Sequence, residues 1–227
     1  MAGTRLAHPL HTRIPNRSHP PLARMHGRRI IVGLLGAVAS GKSHVAQRLA
    51  LLGGGRVVDA DRLAHEALDQ AAGDGRLAAL LGPASVRAGR ADRDALRQRA
   101  HADAAVLRAL EGLTHPVVRE RLEQAVAAHR RGEGPDLLVL DVPLLVEAHL
   151  EGLCDELWFV EAPEDLRRQR ALARGTPAEA LAGWARHQAG DAAKRARATH
   201  VITNGDDATR LDAQLRAALA GTAPART

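Results

Sequence analysis

The chain has 227 residues, 45% of them hydrophobic and 1% aromatic, with one Phe and no Tyr. It is long enough to bury a sizeable core, built from Leu, Val, Ala and Ile, in which a bound base would find few rings to stack on. One cysteine, Cys154, excludes an internal disulfide and fits a reducing compartment, and no apolar run approaches membrane-spanning length.

The net charge of +6 suggests nucleic acid, but its distribution argues otherwise. Residues 1–29 hold six arginines (Arg5, Arg13, Arg17, Arg24, Arg28, Arg29) and no acidic residue. Removing those six from the 32 Lys and Arg leaves 26, equal to the 26 Asp and Glu. The basic excess is therefore assigned to a tail, residues 1–28, which is Pro-, His- and Arg-rich and is expected to be disordered. It lacks the apolar core of a secretory signal, and its prolines spoil a transit-type amphipathic helix. Met25 stands just ahead of the first expected strand as an alternative start.

Ile30 to Leu35 is a short apolar, β-branched run and reads as a buried parallel strand. A loop follows, and then Val45, Leu49 and Leu52 recur at helical spacing. The motif G-x-x-x-x-G-K-S (Gly36, Gly41, Lys42, Ser43) spans that loop between strand and helix, the context a phosphate-binding loop requires. A polyphosphate needs converging N–H donors, and a loop wrapped at a helix N-terminus presents them within a favourable dipole. Lys42 would face the β- and γ-phosphates, and Ser43 would hold Mg²⁺ through its hydroxyl. Of the 32 basic residues only Lys42 and Lys194 are lysines. A Lys at this loop is thus demanded by its site, where a planar guanidinium fits poorly.

Gly53-Gly54-Gly55 ends the helix, and Arg56 to Asp61 reads as a second strand carrying Asp59 and Asp61 on one face. Ligand crevices lie at the carboxyl ends of parallel strands, so either carboxylate could take a proton from an attacking hydroxyl or help place Mg²⁺; alternatively, Asp61 caps a helix beginning at Arg62. Residues 62–131 read as almost wholly helical, broken at Gly82-Pro83 and Gly89, with His115-Pro116 opening the last helix. That block is too long for a simple crossover and suggests an inserted subdomain.

Leu137 to Leu140 is a buried strand, and Asp141 at its end is either a second Mg²⁺ carboxylate or a turn residue before Pro143. Leu157 to Val160 is a further strand. From Pro163 a helix carries Arg167, Arg170 and Arg174 on one face, a solvated stripe or a phosphate clamp. Pro177 to Gln188, with Trp184 packing, is another helix. Val201 to Gly205 reads as the last strand and its turn, and Asp206 to Leu219 as the closing helix.

In order, the motifs resemble those of the dephospho-coenzyme A kinase family: Gly36 to Ser43, the D-A-D of Asp59 to Asp61, His115-Pro116, V-P-L-L-x-E at Val142 to Glu147, an Arg-bearing stretch from Arg170 to Gln188, and V-I-x-N-G at Val201 to Gly205. The resemblance covers residues 29–219. It implies a P-loop NTPase fold of three α/β/α layers with a parallel sheet. The nucleotide core would be residues 29–61 and 132–219, the lid about residues 165–192, the helical acceptor-binding insertion 62–131, and the end a tail, 220–227. It implies transfer of the γ-phosphoryl of ATP to the ribose 3′-hydroxyl of dephospho-CoA, with Asp61 as general base and Lys42 holding phosphates. Gly36, Ala39, Ser40, Gly41, Lys42, Ser43, His44, Arg170 and Arg174 would line the nucleotide site, Asp59, His115 and Glu147 the acceptor site, and Ser43 and Asp141 would hold Mg²⁺.

The implied partners are ATP and dephospho-CoA, with no nucleic acid and no membrane, in a cytoplasmic monomer or weak oligomer. Ala37 and Ala39 stand where the family has glycines, His44 where it has Thr, Leu35 before the loop where Thr is common, and Thr199-His200 where it has Ala-Asp. The rival reading is another P-loop small-molecule or nucleoside kinase, separable only through the acceptor subdomain. A GTPase-type switch lacks its N-K-x-D base reader, because no Asn precedes Lys194. A nucleic-acid binder would have to work through the tail.

Overall fold

The computed structural model describes residues 29–174 and 184–221. The expected disordered tail 1–28, residues 222–227, residues 175–183 of the expected lid and the packing of the Trp184 side chain lie outside the described residues.

Five strands form one sheet: β1 (Ile30–Gly36), β2 (Arg56–Asp59), β5 (Leu137–Asp141), β6 (Glu156–Glu161) and β7 (His200–Thr203). Their order is β2-β5-β1-β6-β7, and every pairing is parallel. Such a sheet must be covered on both faces, and the sequence supplies apolar residues at both parities. Ile30, Val32, Leu34, Leu137 and Val139 point one way, and Ile31, Leu35, Leu138 and Leu140 the other. The first face packs on α1 (Lys42–Gly53) through Val45, Leu49 and Leu52, and on a closing helix, Ala208–Gly221, through Leu211, Leu215 and Leu219. The second packs on α2 (Ala60–Gly73) through Leu63 and on a long helix, α5 (Ala104–Arg130), through Leu122 and Val126. The three expected layers are present.

Between α2 and α5 lie α3 (Arg76–Leu81), a hairpin of β3 (Val86–Arg87) and β4 (Arg90–Ala91), and α4 (Arg93–Ala102). Ala71, Ala72, Leu77 and Leu96 make a small apolar cluster of their own there. The hairpin falls at the break expected at Gly89 within the almost wholly helical stretch 62–131, and adds two short strands that were not expected there. Its turn residues, Ala88 and Gly89, both have positive φ (51° and 74°), the geometry that matches the twist of paired strands. Two residues per strand are too few to show an alternating pattern. Asp69 braces the hairpin through Arg90, Arg93 and the Ala91 amide.

His115-Pro116 does not open a helix. It lies inside α5, which starts at its Asp103 cap. Proline forfeits one hydrogen bond and presses on the carbonyl four residues back, here that of Gly112. Two residues before Pro116, the Thr114 hydroxyl donates to the Leu110 carbonyl at 2.9 Å. Anchorage on both sides, at Val106 and at Leu122 and Val126, carries the helix through.

Among the described residues three further helices follow: α6 (Glu164–Ala173), α7 (Trp184–Arg197) and the closing α8 (Ala208–Gly221), which runs two residues beyond the expected Leu219. Arg29, counted above with the tail, belongs to the fold. Its guanidinium donates to the carbonyls of His129, Gly134 and Pro135 where α5 ends. Among the described residues no helix is long and apolar enough to cross a membrane.

Candidate active site

The carboxyl ends of β1, β2 and β5 meet at one edge of the sheet. β1 runs into the loop Gly36–Gly41, which turns directly into α1. Two glycines are structurally required. A Cβ at Gly36 would collide with the Val160 carbonyl oxygen, and one at Gly41, whose φ is +85°, with the Asn204 amide. The first turn of α1 has neither a side-chain cap nor an acidic residue, so its N–H groups and positive dipole end are left for an anionic ligand. Lys42 reaches back across the loop and donates to the carbonyls of Gly36 (3.0 Å) and Ala37 (3.4 Å). Ser40 is fully buried beneath it, and its hydroxyl has no partner among the described residues.

Ala39 adopts a left-handed φ of +58°. A side chain costs about 1 kcal/mol there, a cost glycine does not carry. Ala39→Gly is expected to raise stability by up to about 1 kcal/mol, measured by urea unfolding.

Asp59 ends β2 and is registered against Asp141, which ends β5. The sheet thus brings two carboxylates side by side, although 82 positions separate them in sequence. The helix cap expected of Asp61 is instead made by Asp59, whose side chain accepts from the Arg62 N–H at 3.1 Å. The strand stops at Asp59, α2 begins at Ala60, and Asp61 sits in the first helical turn rather than on a strand face. The strand-parity argument for pairing the two aspartates is therefore wrong, yet they remain neighbours through the turn of the helix. Partial burial, and then the charge of Asp59, raise the Asp61 carboxyl above the usual range, opposed by His65 and Lys42. Asp141 is buried, and the Ser43 hydroxyl donates to it; burial raises its carboxyl too, with Asp59 and Asp61 adding and Lys42 opposing. Burial dominates at Lys42 and lowers its ammonium from the ordinary lysine value, while Asp141, Asp191 and Asp61 oppose the shift and Lys194 adds to it.

Two residues grip the loop from its far side. The Asn204 amide donates to the Ser40 carbonyl at 2.8 Å, and Arg170, on α6, donates to the carbonyls of Ser40 (3.3 Å), Asn204 (3.2 Å) and Gly205 (3.3 Å). The Arg stripe read from sequence divides accordingly: Arg167 is buried, Arg170 is pinned at the loop, and Arg174 is exposed at the end of α6. The sequence places Asn204 in the turn before Gly205 and within a family motif, but assigns it no role. The signal that marks it is burial of an amide after an apolar strand, which one sequence cannot show. His44 lies beside Arg170, Arg48 and Asp212, and its imidazole is shifted down by partial burial and by the two arginines.

Glu147 pairs with Lys194 of α7 at 2.5 Å. His115 is exposed on α5. Cys154 is structural. Its thiol lies against Gly33, and burial pushes its pKa up to about 12. Iodoacetamide at pH 8 is expected to modify it only after unfolding, read by intact mass with and without denaturant. Beside the loop, a cavity of about 450 Å³ opens between Ala37, Phe159, Pro163 and Arg195.

A parallel sheet ending in a glycine-framed loop, with a lysine folded over it and carboxylates on the next two strands, defines the chain as a P-loop kinase. The model of the dephospho-CoA kinase family matches residues 30–209, and the chain belongs to that family, transferases of the final step of coenzyme A biosynthesis. The dephospho-CoA kinase of Deinococcus radiodurans is 40% identical over 205 residues, 89% of this chain and 96% of that protein. The crystal structure of TT1252 from Thermus thermophilus superposes with a TM-score of 0.67 at 36% identity, over 86% of this chain and 99% of that one. Dephospho-CoA kinase from Campylobacter jejuni, at 22% identity and a TM-score of 0.62 over 85% and 96%, shares the fold.

Proposed function

We propose that this cleft is where the γ-phosphoryl group of ATP passes to the ribose 3′-hydroxyl of dephospho-CoA, with Asp61 as general base and Lys42 as the charge-stabilising cation. The observation that carries the reading is the convergence of Lys42, Asp61 and Asp141 at the uncapped start of α1. The acceptor oxygen bonds to the γ-phosphorus as the bond to the bridging oxygen breaks. The proton goes to Asp61, and ADP leaves with the bridging oxygen. Lys42 and the amides from Ser40 to His44 hold the β- and γ-oxygens in line, so the protein contributes positioning and fixed positive charge.

The donor set suits Mg²⁺. The Ser43 hydroxyl and Asp141 carboxylate are adjacent hard oxygens, and no closed cage of three ligating side chains occurs among the described residues. Mg²⁺ commonly takes one or two protein oxygens and completes its shell with phosphate and water. When bound, it would neutralise charge on the phosphates.

Gly36, Ala39, Gly41, His44, Arg170 and Arg174 are assigned to the nucleotide side, with Arg170 holding the loop closed against β7. Asp59, His115 and Glu147, with the helical unit 62–131, are assigned to the acceptor, and the stretch about 165–192 to a lid. The single cysteine and a nearly neutral chain beyond the tail fit a cytoplasmic enzyme without nucleic acid.

A coupled assay of ADP release tests the reading with dephospho-CoA and with free nucleosides as acceptors. Turnover is expected with dephospho-CoA. Turnover with a nucleoside and none with dephospho-CoA would move the assignment to another small-molecule kinase.

A further inference from the structure

The chain uses Arg almost everywhere it needs a cation, and its two lysines, Lys42 and Lys194, lie 152 positions apart in sequence. The fold brings them into one cleft. α7 packs across β1 and β6, and from it Lys194 reaches the Glu147 carboxylate, its ammonium 2.5 Å away and its side chain 19% exposed. Lys194 acts on the charge of Lys42, and Glu147 interacts with both lysines. Asp191, one helical turn before Lys194, also acts on Lys42.

Glu147 belongs to the segment that follows β5, the strand ending in Asp141. Lys194 is thus tethered between α7 and the strand ends that carry the carboxylates. An ion pair that served only to fasten α7 would be made as well by Arg, which this sequence prefers by a wide margin and whose planar fork suits a carboxylate better. A compact ammonium is what a crowded phosphoryl site accepts.

Resting on the kinase reading above, we propose that Lys194 is a second catalytic cation of the phosphoryl transfer, and that Glu147 is a positioning residue that aims its ammonium at the anionic oxygens of the group in transit. As the acceptor oxygen–phosphorus bond forms and the bond to the ADP oxygen breaks, negative charge gathers on the peripheral and bridging oxygens. Lys42 meets that charge from the loop, and Lys194 meets it from α7. The arrangement gives the transferring group two cations carried by different elements, the loop and α7. Phosphate oxygens of the acceptor carry the same charge, so the kinetics must separate the two sources.

The test is steady-state kinetics of Lys194→Met, Lys194→Arg and Glu147→Gln with ATP and dephospho-CoA, alongside each variant's melting temperature. Lys194→Met is expected to lower kcat by about 10²–10³-fold, with both KM values within threefold of the parent. Lys194→Arg is expected to recover only part of that loss, because the charge returns on a larger planar group. Glu147→Gln is expected to lower kcat about tenfold, and the double variant Glu147→Gln with Lys194→Met to be no slower than Lys194→Met alone.

A Lys194→Met kcat within threefold of the parent would overturn the proposal, and so would a loss confined to the KM of dephospho-CoA, which would make Lys194 an acceptor anchor. Full recovery by Arg would reduce the pair to a fastening for α7. Should Lys194→Met fail to fold, Glu147→Gln decides alone: a kcat within twofold of the parent overturns the proposal. A parent enzyme inactive on dephospho-CoA would mark failure of the kinase reading itself. An active parent with an unaffected Lys194→Met variant would mark failure of this inference only.

Discussion

Asp61→Asn is expected to lower kcat by about 10²–10⁴-fold while leaving ATP affinity within a few fold. The amide keeps the shape of the side chain but cannot accept the proton of the attacking hydroxyl. Because burial and Asp59 hold the Asp61 carboxyl above 3.8, the ordinary aspartate value, kcat/KM should fall as pH drops through that raised value, giving an acid limb displaced upward and absent in the variant. The same shift fixes the sign of its effect on stability. The folded state binds the Asp61 proton more tightly than the unfolded chain does. This contribution to stability is full below the unfolded pKa and is lost as pH rises through the folded one. At neutral pH the ionised carboxylate is therefore a cost to the fold, and Asp61→Asn should melt no lower than the parent. Stopped-flow nucleotide binding, a pH–rate profile and a thermal melt check the three parts. Normal turnover by the variant would remove Asp61 from the mechanism.

Lys42→Arg and Lys42→Met are both expected to lower kcat/KM for ATP by about 10²–10³-fold, with Arg rescuing little. Lys42 threads between the Gly36 and Ala37 carbonyls, a path suited to a thin stem and a point charge and not to a planar guanidinium. Neither change should destabilise the fold, because burial already works against the ammonium there. Steady-state kinetics with a urea melt measures both effects. An Arg variant within threefold of the parent would show that any cation suffices and would remove the compositional argument for Lys.

The two sets of variants probe different walls of one cleft. Lys42 and Ser43 come from the loop, Asp61 from the first turn of α2, Asp141 from the end of β5 and Lys194 from α7. The parallel strands that end together bring the first four within reach of one another, and α7 crossing over β1 adds the fifth. Arg170 and Asn204 then fix the position of the loop itself by holding the Ser40 carbonyl. Loss of either is expected to act on nucleotide affinity through the loop's shape.

The sequence by itself determined the phosphate loop, the parallel sheet and the family. Each rests on local information: glycines at a fixed spacing, apolar runs of strand length, and motifs in a set order. Neighbouring residues carry these signals, so one chain displays them. Tertiary structure alone decided the pairing of Asp59 with Asp141 and the grip of Asn204 and Arg170 on the loop, because sheet register and cross-element hydrogen bonds join positions far apart in sequence. It also decided three local features that sequence rules misplaced. Asp59 rather than Asp61 caps α2, since the strand gives way to the helix two residues earlier than the alternating pattern suggested. Pro116 sits within α5, since packing on both sides outweighs one lost hydrogen bond. The hairpin at Val86–Ala91 forms from strands too short to show a period. The meeting of the two lysines is the clearest case. Their rarity was visible in the sequence, but their shared site exists only because α7 folds back over β1.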